Sequence, residues 1–170
     1  MTSKRPPRPA GTIMLPAARL AQLHNLAALR DPPISTTELI EELIGREVEA
    51  GAIRDELPGF SICVVDHGKG YVPSFIIDDD LDFGFERMRP ADALAIADVL
   101  DAVSRPGPAA GKSIGVAPRL LKIARVGRGV VLAGSLPGQR RTVTSRMARD
   151  LARQLRAAVE RAKMLTTALS

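Results

Sequence analysis

The side chains with chemistry to offer in this 170-residue chain are two basic clusters, one acidic cluster, two histidines and one cysteine. Arg146, Arg149, Arg153 and Arg156 stand at i, i+3, i+7 and i+10, with Arg140 and Arg141 just before them. At helical spacing this is a cationic stripe opposite an apolar face of Ala148, Leu151, Ala152 and Leu155. Such a stripe suits phosphates or an acidic protein surface, and it is equally the pattern of a solvated helix. Lys4, Arg5 and Arg8 lie among prolines in MTSKRPPRPA, a flexible basic arm. Asp78, Asp79, Asp80, Asp82 and Glu86 could hold a hard cation. Their spacing matches no calcium loop, however, and strand alternation sends them to opposite faces, so a hairpin tip kept soluble by charge fits them better.

Nucleophilic and phosphate-cradling chemistry fare no better. His24 lies on the polar side of a helical segment and His67 in a turn, neither beside a nucleophile. Cys63 sits in an apolar run and reads as a buried, inert thiol of a reducing compartment. The segment Gly107-Pro108-Ala109-Ala110-Gly111-Lys112-Ser113 imitates a phosphate loop. It has three residues between its glycines instead of four, follows a helical segment and carries a proline where an N–H is needed. The expectation is a protein that is not an enzyme and has no cofactor and no metal site.

Charge is strongly segregated. Residues 1–30 carry five basic and no acidic groups, residues 31–110 six and seventeen, and residues 111–170 thirteen and two. Both ends should attract polyanions and the middle should not. Hydrophobic residues make up 45% of the chain but aromatics only 3%, so cores must be built from aliphatic side chains. All five aromatics (Phe60, Tyr71, Phe75, Phe83, Phe85) fall in one stretch, which should be the densest core. No apolar run reaches membrane-spanning length, which implies a cytoplasmic protein that makes no membrane contact.

The elements that must position these groups follow from periodicity and punctuation. A helix is expected from Pro16 to about Leu29, with Leu20, Leu23, Leu26 and Ala27 as its apolar stripe and Asp31-Pro32-Pro33 as its stop. Ser35 or Thr36 should cap a second helix, Glu38 completing a capping box and Gly51 ending it. From Pro58 the period changes to two. Strands are expected at 60–66, 71–77 and 81–87, with Pro73 marking an edge or a bulge, then a helix from Pro90 to about Val103. Residues 104–118 read as a linker. Strands at 120–126, 130–134 and 139–143 follow, with a last helix from Thr144 or Ser145 towards Leu165.

This order suggests a degenerate duplication. The turns HGKG and VGRG align at an offset of 59. The helices align at 55, pairing Ile96-Ala97 with Leu151-Ala152 and Leu100-Asp101-Ala102 with Leu155-Arg156-Ala157. The expected fold class is α+β. It comprises a basic arm (1–9), a strand-helix-helix module (10–57), a strand-strand-strand-helix unit (58–103), a linker (104–118) and a second such unit (119–170). The two units should form antiparallel sheet with helices.

Residues 10–53 resemble the ribbon-helix-helix (MetJ/Arc-like) DNA-binding family. The resemblance rests on Ile13, Leu15 and Pro16 at a strand-to-helix junction and on Ser35-Thr36-Thr37-Glu38-Leu39-Ile40 at the second helix. It implies a homodimer whose paired strands enter the major groove of double-stranded DNA, with Thr12 and Met14 facing the bases. It also implies a phosphate held at the second helix start, by Ser35 and Thr36. The strand-rich units resemble Whirly and similar nucleic-acid-binding folds at the level of fold alone. The expected function is transcriptional regulation, or an accessory role on a bacterial plasmid, phage or mobile element. Lys4, Arg5 and Arg8 would add backbone attraction, and the C-terminal arginines a second polyanion contact or a site for a protein partner. The alternative is an interaction or scaffold protein whose N-terminal module only dimerises.

Overall fold

Helical spacing and short apolar runs bounded by turns sort the chain into helices and strands along most of its length. The structure, a computed structural model, describes residues 14–77, 83–105, 112–116 and 119–169. In chain order these form α1 (Ala17–Ala28), α2 (Thr36–Glu49), β1 (Phe60–Asp66), β2 (Tyr71–Ile77), β3 (Phe83–Phe85), α3 (Pro90–Ser104), β4 (Lys112–Val116), β5 (Arg119–Val126), β6 (Gly129–Ala133), β7 (Arg140–Thr144) and α4 (Ser145–Thr167). The architecture is mixed α+β. The chain divides into two compact units between Ala52 and Ile53.

The first unit is a pair of helices. Pro16 caps α1, its carbonyl accepting the N–H groups of Arg19 and Leu20 at 2.9 and 3.1 Å. Ser35 caps α2 in a full capping box: its hydroxyl accepts the Glu38 N–H at 3.2 Å, and the Glu38 carboxylate accepts the Ser35 N–H at 2.8 Å. At the other end Gly51 adopts φ +73°. There Gly51 N–H reaches the Val48 carbonyl and Ala52 N–H the Glu47 carbonyl, a Schellman stop. The helices bury only Ala27, Leu39 and Gly45, whereas Leu20, Leu26, Leu43 and Ile44 stay exposed. Met14 to Pro16 precede α1 without strand pairing, and the rest of the expected ribbon strand lies outside the described residues.

The second unit holds two antiparallel meanders, β1-β2-β3 and β4-β5-β6-β7. Each is followed by a helix, but each helix packs mainly on the other meander's sheet. α3 lies against β4, β5 and β6, α4 lies against β1 and β2, and the two helices pack on one another. One core results, with Phe75, Ile77 and Phe83 from the first sheet, Leu121, Ile123 and Leu132 from the second, and Ile96, Leu100, Leu151 and Leu155 from the helices. The aromatic stretch does sit at its centre: Phe75, Phe83 and Phe85 are buried, and Phe60 stacks on Phe75 with ring centroids 6.4 Å apart.

Several expectations need correction. The segment 104–118 is not all linker, because Lys112–Val116 pairs with β5 as a fourth strand. Residues 53–57 belong to the second unit and not to the N-terminal module, since Arg153 and Gln154 hold Asp55, and Leu57 packs against the second core. Pro73 sits in the central strand β2. It is tolerated because β3 pairs only with residues 75–77, and at the proline the neighbouring chain donates, the Met88 N–H to the Pro73 carbonyl at 2.9 Å, so no N–H is required of Pro73. Cys63 is exposed: Phe60 and Ile62 pack against the core, and alternation leaves Cys63 on the opposite face. No helix among the described residues is long and apolar enough to cross a membrane.

Candidate nucleic-acid interface

The residues expected to meet DNA fall into three groups. Lys4, Arg5, Arg8 and Thr12 lie outside the described residues. Met14 is 91% exposed immediately before α1, a large apolar side chain with nothing packed over it. Ser35 and Thr36 stand at the start of α2, where the helix dipole favours an anion. The capping box already uses the N–H groups of Ser35 and Glu38, and it brings the Glu38 carboxylate to that positive end. A phosphate there would meet the first-turn amides of Thr36 and Thr37 beside a negative charge.

The C-terminal arginines do form one helical stripe, but three of its four members are engaged by aspartates. Arg153 donates to both carboxylate oxygens of Asp55 at 2.5 and 2.8 Å, and Gln154 donates to the same carboxylate at 2.8 Å. Arg156 donates to Asp101 at 2.6 Å and to Asp98 at 2.8 Å, tying α4 to α3. Arg146 lies 3.4 Å from Asp150, one turn along its own helix. Arg149 donates to the Ser145 carbonyl, at 3.4 Å.

Electrostatics follow these pairings. The hydrogen bonds from Arg153 hold the Asp55 carboxyl below the usual carboxylate range, against its partial burial. Asp150 is pushed above that range because burial outweighs the attraction of Arg146 and Arg153. The hydrogen bonds to Asp98 and Asp101 push the Arg156 guanidinium higher still, so it keeps its charge.

Arg140 and Arg141 are split by strand alternation. Arg141 stands opposite Leu132 on the core side of its sheet, with its guanidinium 5.9 Å from the centroid of the Phe60 ring. Arg140 stands opposite Ala133 on the outer side and is exposed. Ala133 is in turn the partner of Lys122, also exposed, so two cations flank a small residue across three neighbouring strands. Lys122 was not among the expected contacts. Its signal lay in the composition of residues 111–149, which hold nine Lys and Arg and no Asp or Glu.

Of the acidic cluster, Asp78, Asp79, Asp80 and Asp82 lie outside the described residues, and Glu86 is exposed. Among the described residues no group of three or more His, Cys, Asp or Glu could hold a metal ion. No protein-family model matches the chain, nor does any curated protein or solved structure.

Proposed function

We propose that this chain is a homodimeric DNA-binding protein, a regulator or a DNA accessory factor, whose N-terminal helix pair is both the dimerisation unit and the first DNA contact. The observation that carries the reading is the helix pair itself. It has well-formed ends, yet Leu20, Leu26, Leu43 and Ile44 are exposed around a very small core. A unit of about 40 residues needs help to bury enough apolar surface, and a second copy supplies it. The first 30 residues add five cations and no carboxylate, which favours a polyanion next to that unit. The exposed Met14 side chain suits an apolar contact with a thymine methyl.

The second unit is read as two related strand-rich copies in one chain. Helices lying on each other's sheets support this, as does the Asp101–Arg156 pair. Those two residues align at the offset of 55 and meet in space, as equivalent residues near a pseudo-twofold axis would.

Titration of the full chain against labelled duplex DNA from its own upstream region, and against scrambled duplex, tests the function. The measurement is made at several salt concentrations. The expected result is tighter binding to one sequence, with affinity falling steeply as salt rises. Replacing Thr12 and Met14 with Ala should remove the sequence preference and leave the dimer intact. Absence of duplex binding at low salt overturns the reading.

A further inference from the structure

The second sheet, residues 112–144, carries seven Lys and Arg and no carboxylate. Its two faces differ. Leu121, Ile123, Leu132 and Val143 point into the core, towards α3 and α4. The opposite face carries two cross-strand rows set by the register of β5, β6 and β7: Lys122, Ala133 and Arg140 in one, and Ala124, the buried Val131 and Thr142 in the other. Lys122, Arg140 and Thr142 are exposed, so nothing in the second unit covers them. Adjacent strands are about 4.8 Å apart, which sets the Lys122 and Arg140 backbones about 10 Å apart with only Ala133 between them.

We propose that this outer face is a duplex DNA contact in its own right, sequence-independent and separate from the N-terminal module. A face shaped only for solubility mixes both signs of charge. Elsewhere in this unit that mixing is met: Arg153 faces Asp55 and Arg156 faces Asp98 and Asp101. On the outer face the cations have no carboxylate within their own sheet. The side chain between them is the small Ala133, which lets a sugar-phosphate backbone approach closely. The duplex is favoured over single strands because no aromatic residue follows Phe85, so unpaired bases would find nothing to stack on.

The test is a salt series on the full chain with a labelled duplex of arbitrary sequence. The Lys122→Ala/Arg140→Ala chain should lower the slope of log affinity against log salt by about 2, roughly one for each phosphate that is no longer neutralised. A Lys69→Ala/Arg161→Ala chain has the same net charge, with the cations removed from another turn and another helix, and it should keep the wild-type slope. The swap Lys122→Arg/Arg140→Lys, which preserves charge, should bind as wild type. Equal weakening in both alanine pairs means that net charge alone acts, and overturns the proposal. Unchanged binding by the sheet variant also overturns it, as does Lys122- and Arg140-dependent binding to anionic lipid vesicles without duplex binding. Weaker binding on replacing Thr12 and Met14, with no change on replacing Lys122 and Arg140, leaves the N-terminal reading standing and overturns this one. The converse pattern does the opposite.

Discussion

Asp55 accepts two hydrogen bonds from Arg153 and one from Gln154, and this pairing makes part of the protein's stability depend on pH. Its carboxyl is held below its ordinary value in the folded state, chiefly by Arg153. The unfolded chain therefore takes up this proton more readily than the folded one. The stability contributed by Asp55 is present above the ordinary carboxylate range and is lost as pH falls through the lowered folded value. Asp150 acts in the opposite sense: its carboxyl is raised by burial, so its ionisation costs the folded state as pH rises through its range. Asp55→Asn should consequently lower the urea midpoint of the second unit at neutral pH. The gap from wild type should begin to close below about pH 5 and vanish in stronger acid. Urea titrations at successive pH values measure this; a gap that is constant with pH would mean the pairing contributes nothing through the charge of Asp55.

At the scale of elements, the loop joining β6 to β7 fixes how closely the two sheets' ends approach. A Cβ built on Gly134 would clash with the Gln139 side-chain oxygen and lie 2.7 Å from the Phe83 ring; the end of the Gln139 side chain can swing aside, whereas Phe83 is buried and has no room to retreat. Gly134→Ala should destabilise the second unit by about 1–3 kcal/mol through overpacking. In a Phe83→Leu background the same substitution should cost measurably less, because the two residues share the crowded space. Equal costs in the two backgrounds would place the strain elsewhere. Much of the rest was legible in the residues themselves: β1 and β2 stand as apolar runs on either side of the turn HGKG, and α2 announces its start through Ser35 and Glu38. β4 was not legible, because Lys112-Ser113-Ile114-Gly115-Val116 is short, lies between glycine- and proline-rich segments, and gains its status from pairing with β5. The arginine stripe was visible as a stripe, but its partners were not. Asp98 and Asp101 belong to another helix, and only the packing of α3 on α4 brings them to Arg156. Lys122 escaped notice for the same reason, since one cation in an apolar strand acquires neighbours only through sheet register.

For the whole molecule, the contrast between the two units decides how it should unfold. The second unit closes a core drawn from both sheets and both helices, whereas the first buries little more than Leu39 and Ala27. A fully buried leucine is worth about 1.5–3 kcal/mol, which cannot by itself offset about 1–2 kcal/mol per residue of backbone ordering over two helices. If a second copy supplies the missing burial, stability of the first unit depends on protein concentration and that of the second does not. Urea unfolding followed by circular dichroism should therefore show two transitions. The earlier one should move to higher urea as protein concentration is raised, by the equivalent of about 1.4 kcal/mol per dimer for each tenfold step. The later one should stay fixed. Ile44→Asp places a charge on the exposed apolar face of α2, where it would be buried in the dimer. It should abolish the early transition at micromolar concentration and leave the later one unchanged. An early transition that ignores a hundredfold change in concentration would mean that the helix pair draws its stability from within the single chain, and the dimer would have to be given up.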